Sequence, residues 1–92
     1  MLELYFTRDE QPSNNEQIGA AGEIDYEEFD EAQKLEVIES DLDYFDNFRW
    51  TSQQVQQKRA MLTPAIGAAI PTLAAILKQA FGTGCALVAF GD

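Results

Sequence analysis

The stretch Thr63–Phe81, TPAIGAAIPTLAAILKQAF, constrains the fold more than any other part of the chain. It carries one charge, Lys78, and the run from Met61 to Leu77 carries none. A block of this length belongs either in the middle of a globular core or in a bilayer. Its punctuation favours the core. Thr63 and Pro64 have the signature of an N-cap and a first helical position, where the N–H that proline lacks would have no intrahelical partner. Pro71 cannot donate to Gly67, so it kinks the helix or divides it in two. Beyond it, Leu73, Ala74, Ile76, Leu77, Ala80 and Phe81 cover most of the circumference, which predicts burial on several sides. Gly82 and Gly84 end the helix, with Gly82 expected as the left-handed C-cap. Two prolines, a glycine, two threonines and Lys78 make residues 61–81 a poor membrane span, so a membrane-inserting protein is the weaker alternative.

Charge is separated along the chain. Of 92 residues, 16 are acids and 6 are bases, with no histidine and a net charge of −10. Residues 1–50 hold 15 acids and 3 bases (−12), whereas residues 51–92 hold 1 acid and 3 bases (+2). Eleven acids fall between Glu23 and Asp46, with only Lys34 among them. With 46% hydrophobic residues the chain suits a single domain over residues 1–92, built from an apolar core segment (61–90) and an acidic surface segment (23–46).

Leu2–Thr7 alternates, with Leu2, Leu4 and Phe6 on one face, and reads as a half-buried strand. Residues 8–22 are rich in turn formers and read as a surface loop, with a brief extended piece at Gln17–Ala20. Asp25 is placed to cap the N–H of Glu28, Glu28 to reach back to Asp25, and Ile24 to staple onto Phe29, which marks a helix start. From there Phe29, Ala32, Leu35, Ile38, Leu42 and Phe45 form an apolar stripe on a helix running from about Tyr26 into the forties. Its spacing is tighter than the helical repeat, so the stripe drifts or the helix breaks, with Ser40 and Asp43 placed to cap a second short helix. Thr51 and Gln54 form a capping box, with Trp50 stapling onto Val55, for a helix from Ser52 to about Leu62. Cys85–Phe90 is a strand apolar on both faces, covered by the central helix and by a candidate second copy of the chain, a homodimer. The expected fold is α+β: about three helices around the buried helix Pro64–Phe81, kinked near Pro71, with Leu2–Thr7 and Cys85–Phe90 pairing antiparallel.

Residues Gly22–Phe29, GEIDYEEF, resemble the second half of an EF-hand calcium loop, with Gly22 at the sharp turn, Ile24 at the hydrophobic position and Glu28 as bidentate ligand. The first half departs from that pattern, because Gln17, Gly19 and Ala21 stand where carboxylates are required. No metal or cofactor is expected. Without histidine, and with Cys85 as the single cysteine, the acyl-transfer and zinc templates cannot be filled, and no catalytic residue is assigned. The lone cysteine and the absence of a basic and apolar leader in MLELYFTRDE lead to the expectation of a cytoplasmic protein.

Carboxylates four residues apart, such as Glu27 and Glu31 or Glu39 and Asp43, disfavour a helix unless packing offsets them. Their spacing on one face, about 6 Å between Cβ atoms, is close to the phosphate spacing of a nucleic-acid strand. The expected partner-binding residues are Glu27, Asp30, Glu31, Glu36, Glu39, Asp41, Asp43 and Asp46. A negative field disfavours direct contact with nucleic acid or an anionic membrane and favours a basic protein, such as a nuclease, a toxin or a CRISPR effector. In size and charge the chain resembles bacterial toxin-immunity proteins and phage-encoded anti-CRISPR or anti-restriction inhibitors, some of which act as nucleic-acid mimics. The alternative is an acidic subunit of a larger assembly.

Overall fold

The start signals at Asp25, Thr51 and Thr63 each open a helix, and a four-stranded antiparallel sheet ties the two chain ends together. The structure, a computed structural model, describes residues 1–8 and 19–91. In chain order the elements are β1 (Leu2–Thr7), β2 (Gly19–Ile24), α1 (Tyr26–Lys34), β3 (Asn47–Trp50), α2 (Ser52–Ala60), α3 (Pro64–Ala69), α4 (Pro71–Thr83) and β4 (Ala86–Gly91). The fold is α+β, and the terminal strands β1 and β4 pair antiparallel, Leu2 opposite Gly91 and Thr7 opposite Ala86.

The sheet order is β2-β1-β4-β3. Residues opposite each other across a ladder share a face, so Leu2, Leu4, Leu87, Ala89 and Trp50 point together into the core, and all are buried. Helices α2 and α4 lie on that side, contacting each other, β4 and β2. Tyr5, Val88, Phe90 and Arg49 share the opposite face and are half-buried, with Tyr5 and Phe90 meeting edge to face at 5.7 Å. Both hydrogen-bonding edges of β4 are taken by β1 and β3. The homodimer expectation therefore concerns side chains of this outer face only.

Two of the expected boundaries move. The brief extended piece expected at Gln17–Ala20 is, at Gly19 and Ala20, the start of β2, which runs on through residues 21 and 22 of the expected loop to Ile24 along β1; residues 9–18 lie outside the described residues. β3 has no counterpart in the sequence reading: Asn47–Trp50 adds an edge strand to β4 immediately before the Thr51 cap.

Pro71 divides the apolar block. Ile70, at φ −130° and ψ 63°, ends α3 and begins α4, because the residue before a proline avoids helical dihedrals. The halves then behave differently. α3 has no buried residue, whereas α4 buries Leu73, Ala74, Ile76, Leu77 and Ala80. Ala75, Lys78, Gln79 and Phe81 are exposed, so α4 is buried on one broad face and not all round. The longest helix has 13 residues, about 20 Å at 1.5 Å per residue, and no helix among the described residues is long and apolar enough to cross a membrane. The helix ends at Gly84, not Gly82. Gly84 takes the left-handed conformation (φ 68°), while Gly82 lies within the helix.

Candidate partner-binding face

The acidic segment folds as one short helix followed by turns. Asp25 caps α1 as its sequence suggests, accepting from Glu28 N at 2.9 Å. The reciprocal contact does not form. The Glu28 carboxylate instead accepts from Leu73 N at 2.6 Å, in the first turn of α4. α4 needs it, since Ile70 makes no side-chain cap and Pro71 fills the first helical position. A carboxylate from α1 thus satisfies an orphan N–H of α4 and meets the positive end of its dipole. Gly22, at the turn position of the EF-hand resemblance, is instead a strand residue opposite Leu4.

α1 stops at Lys34 with no glycine to stop it. Leu35 is the C-cap and Glu36 adopts the left-handed conformation (φ 64°). Val37 N bonds Ala32 O at 2.9 Å and Glu36 N bonds Gln33 O at 3.0 Å, the two hydrogen bonds of a Schellman motif. Val37 and Ile38 then turn inward and are fully buried. Gln33 holds the return, donating to Glu39 O at 3.0 Å and Leu42 O at 2.6 Å. No second helix begins at Ser40. The expected apolar stripe fails at its end: Tyr44 is buried, while Phe45 is 62% exposed.

The eight expected binding residues separate into groups. Glu27, Asp30 and Glu31 lie on the side of α1 opposite the buried Phe29 and Ala32, as a period of 3.6 residues requires. Asp30 pairs with Lys34 at 3.1 Å across one turn. That hydrogen bond, with the fields of Asp30 and Glu31, raises the Lys34 pKa above its ordinary value. Lys34 in turn borders a shallow hollow of about 450 Å³, whose wall carries Glu36, Glu39 and Asp41. Glu27, Glu31, Glu36 and Asp41 make no ion pair or side-chain hydrogen bond among the described residues.

The other three are held by the fold. Asp43 Oδ1 accepts from Phe45 N at 3.2 Å and Asp46 Oδ2 from Asp43 N at 2.9 Å, so both close the turn that leads into β3. That turn sits tight against the end of β4. A Cβ at Gly91 would lie 2.2 Å from Tyr44 O, so only glycine fits. Glu39 joins a half-buried network. Lys58, 7% exposed, donates to Val37 O at 2.6 Å and Glu39 Oε2 at 3.0 Å, with its ammonium 4.5 Å from the Trp50 ring centre. Trp50 Nε1 donates to Glu39 Oε1 at 3.2 Å. Burial pushes the Glu39 carboxyl upward, but its backbone hydrogen bond, the Lys58 ammonium and the Trp50 indole outweigh it and leave the pKa below the ordinary value. Glu39 holds α2 to the acidic segment and is not a free binding group.

No family model, curated protein or solved structure matches this chain.

One part of the face is invisible to a reading based on charge. Tyr26 is 60% exposed and Phe45 62%, and both stand edge to face on Tyr44, at 5.5 and 5.2 Å. Elsewhere, a second hollow of about 470 Å³ lies between α2, α3 and α4, rimmed by Arg59 and Lys78. Its sign is opposite to that of the acidic face, as the division of charge along the chain implies.

Proposed function

We propose that this chain is a small acidic binding protein of the cytoplasm that docks on the basic groove of a nucleic-acid-handling protein and blocks it. It would act as an inhibitor of the immunity or anti-CRISPR and anti-restriction type. The observation that carries this reading is the set of carboxylates Glu27, Glu31, Glu36 and Asp41, which follow one side of α1 into the hollow beyond it with no partner among the described residues. Glu36 adds weight, because a side chain there costs backbone energy that glycine would avoid. Opposed fields accelerate encounter and discriminate between partners more than they raise final affinity. No reaction is part of the proposal.

The half-buried outer face of the sheet, with Tyr5 against Phe90, favours a second reading: an acidic subunit that meets its neighbour, or a second copy, through that face. Capture from the native host followed by mass spectrometry distinguishes them. The wild-type protein should retain a basic nucleic-acid-handling protein, and release it when salt rises from about 50 to about 500 mM, as screening shortens the range of surface charges. Reversing Glu27, Asp30 and Glu31 to lysine should abolish retention with an unchanged circular dichroism spectrum. Retention that survives both the reversals and the salt would overturn the proposal and point to the outer sheet face.

A further inference from the structure

Large aromatic side chains are seldom left more than half exposed beside one another, since each forfeits the favourable free energy of burial. Tyr26 and Phe45 are both more than half exposed and share one supporting ring, Tyr44, and they are not loosely held. Both rest on Tyr44, which is 8% exposed, packs on Phe29 at 5.4 Å and donates its hydroxyl to Ile24 O at 3.2 Å. The turn bearing Phe45 is closed by Asp43 and Asp46 through one oxygen each. Oδ2 of Asp43 and Oδ1 of Asp46 have no partner among the described residues. Asp30, one helical turn beyond Tyr26, is already paired with Lys34, so among the described residues the free oxygens beside the rings are those of Asp43 and Asp46. The result is a pre-ordered aromatic platform bordered by carboxylates.

We infer that Tyr26 and Phe45, carried on Tyr44, are the arginine-recognising part of the acidic face, and that the occupant is an arginine of the basic partner. This rests on the proposed function and adds to it the partner's side-chain class. A guanidinium is planar and weakly hydrated, stacks on aromatic faces, and can meet carboxylates at its edge while doing so. An ammonium satisfies the carboxylates but gains less from the rings. Affinity concentrated on a few rigid aromatics inside a charged surround is the usual energetic pattern of protein interfaces. In this arrangement the acids of α1 set the encounter rate and the aromatic pair sets residence time.

The test uses octa-arginine and octa-lysine as probes, titrated into the full chain and followed by calorimetry. Wild-type protein should bind octa-arginine at least about fivefold more tightly than octa-lysine, about 1 kcal/mol. Phe45→Ala and Tyr26→Ala should reduce the ratio to within about twofold, weakening octa-arginine binding more than octa-lysine binding. Phe45→Leu, which keeps apolar volume but has no ring, should behave like Phe45→Ala. Phe81→Ala, which removes the exposed ring near Arg59 on the opposite-sign side, should keep the wild-type ratio. If the arginine preference is absent, or persists in both aromatic variants, the inference is wrong, although salt-sensitive binding of both peptides would still support the charge reading. If neither peptide binds at low salt, the inference and the charge reading fall together.

Discussion

Glu36 occupies the one non-glycine position with positive φ among the described residues, and its cost can be read directly. Left-handed geometry costs an L-residue about 1 kcal/mol or more relative to glycine at a helix C-terminus. The two hydrogen bonds of the motif involve backbone only, so Glu36→Gly keeps them. Glu36→Gly should therefore raise stability in urea by about 0.5 to 1 kcal/mol, reduced from the full strain by the greater freedom of glycine in the unfolded chain. The same variant should weaken capture of a basic partner. An unchanged or lowered urea midpoint would show that Glu36 is not strained. Lys58 makes the complementary point, since a buried ammonium is tolerable only with a carbonyl, a carboxylate and an indole face around it.

At the scale of elements, α1 and α4 are joined by a hydrogen bond between residues 45 apart, Glu28 to Leu73. α4 supplies much of the core, with Leu73, Ile76, Leu77 and Ala80 buried, yet its own sequence provides no side-chain cap. Glu28→Ala should lower stability by about 1 to 2 kcal/mol, the usual cost of a lost cap. Glu28→Gln, which keeps an acceptor but loses the charge at the positive helix end, should lose about half of that. Urea unfolding followed by circular dichroism measures both. If Glu28→Ala is neutral, the first turn of α4 is satisfied by water and the link between the helices is dispensable. This cap also helps to hold an acidic helix despite Glu27 and Glu31 one turn apart: Phe29 and Ala32 fix the side away from that pair, and Glu28 ties its flank to α4.

For the whole molecule, the acidic half and the apolar half meet at the Lys58–Glu39–Trp50 network, which makes the stability of the assembly sensitive to acid. The folded Glu39 carboxyl titrates below its ordinary value of 4.5, so between those two values the unfolded chain binds more protons and stability falls with falling pH. The contribution is fully present above about pH 4.5 and lost as pH drops through the lower folded pKa. The carboxylate is 42% exposed and screened, so Glu39→Gln should cost only about 1 kcal/mol near neutrality. The gap between wild type and Glu39→Gln should narrow progressively as the pH falls below about 4.5. Comparing the two proteins is essential, since protonation of the other acids relieves repulsion in both. A gap independent of pH would mean that the Lys58 contact contributes through shape and not through charge.

What the sequence determined by itself was whatever depends on residues within about one helical turn of each other. The caps at Asp25, Thr51 and Thr63 form where their side chains and spacing place them, and Pro71 breaks the helix as its missing N–H requires. The pairing of β1 with β4 was legible because alternation and a long apolar run mark one half-buried and one central strand. Only the tertiary structure decided the rest. Four residues of β3 are too few to show a period, and they become a strand because β4 offers them an edge. Glu36 ends α1 without glycine, which no local signal announces. Phe45 left its expected place on the stripe and Tyr44 is buried instead, because the turn from Asp43 to Asp46, pressed against Gly91, sets which ring points inward. Of the expected binding residues, Glu27, Glu31, Glu36 and Asp41 have no partner among the described residues, while Glu39 was taken into the fold by Lys58, 19 residues away. Carboxylates look alike in a sequence; what distinguishes them is whether a cation or an N–H from a distant element arrives beside them.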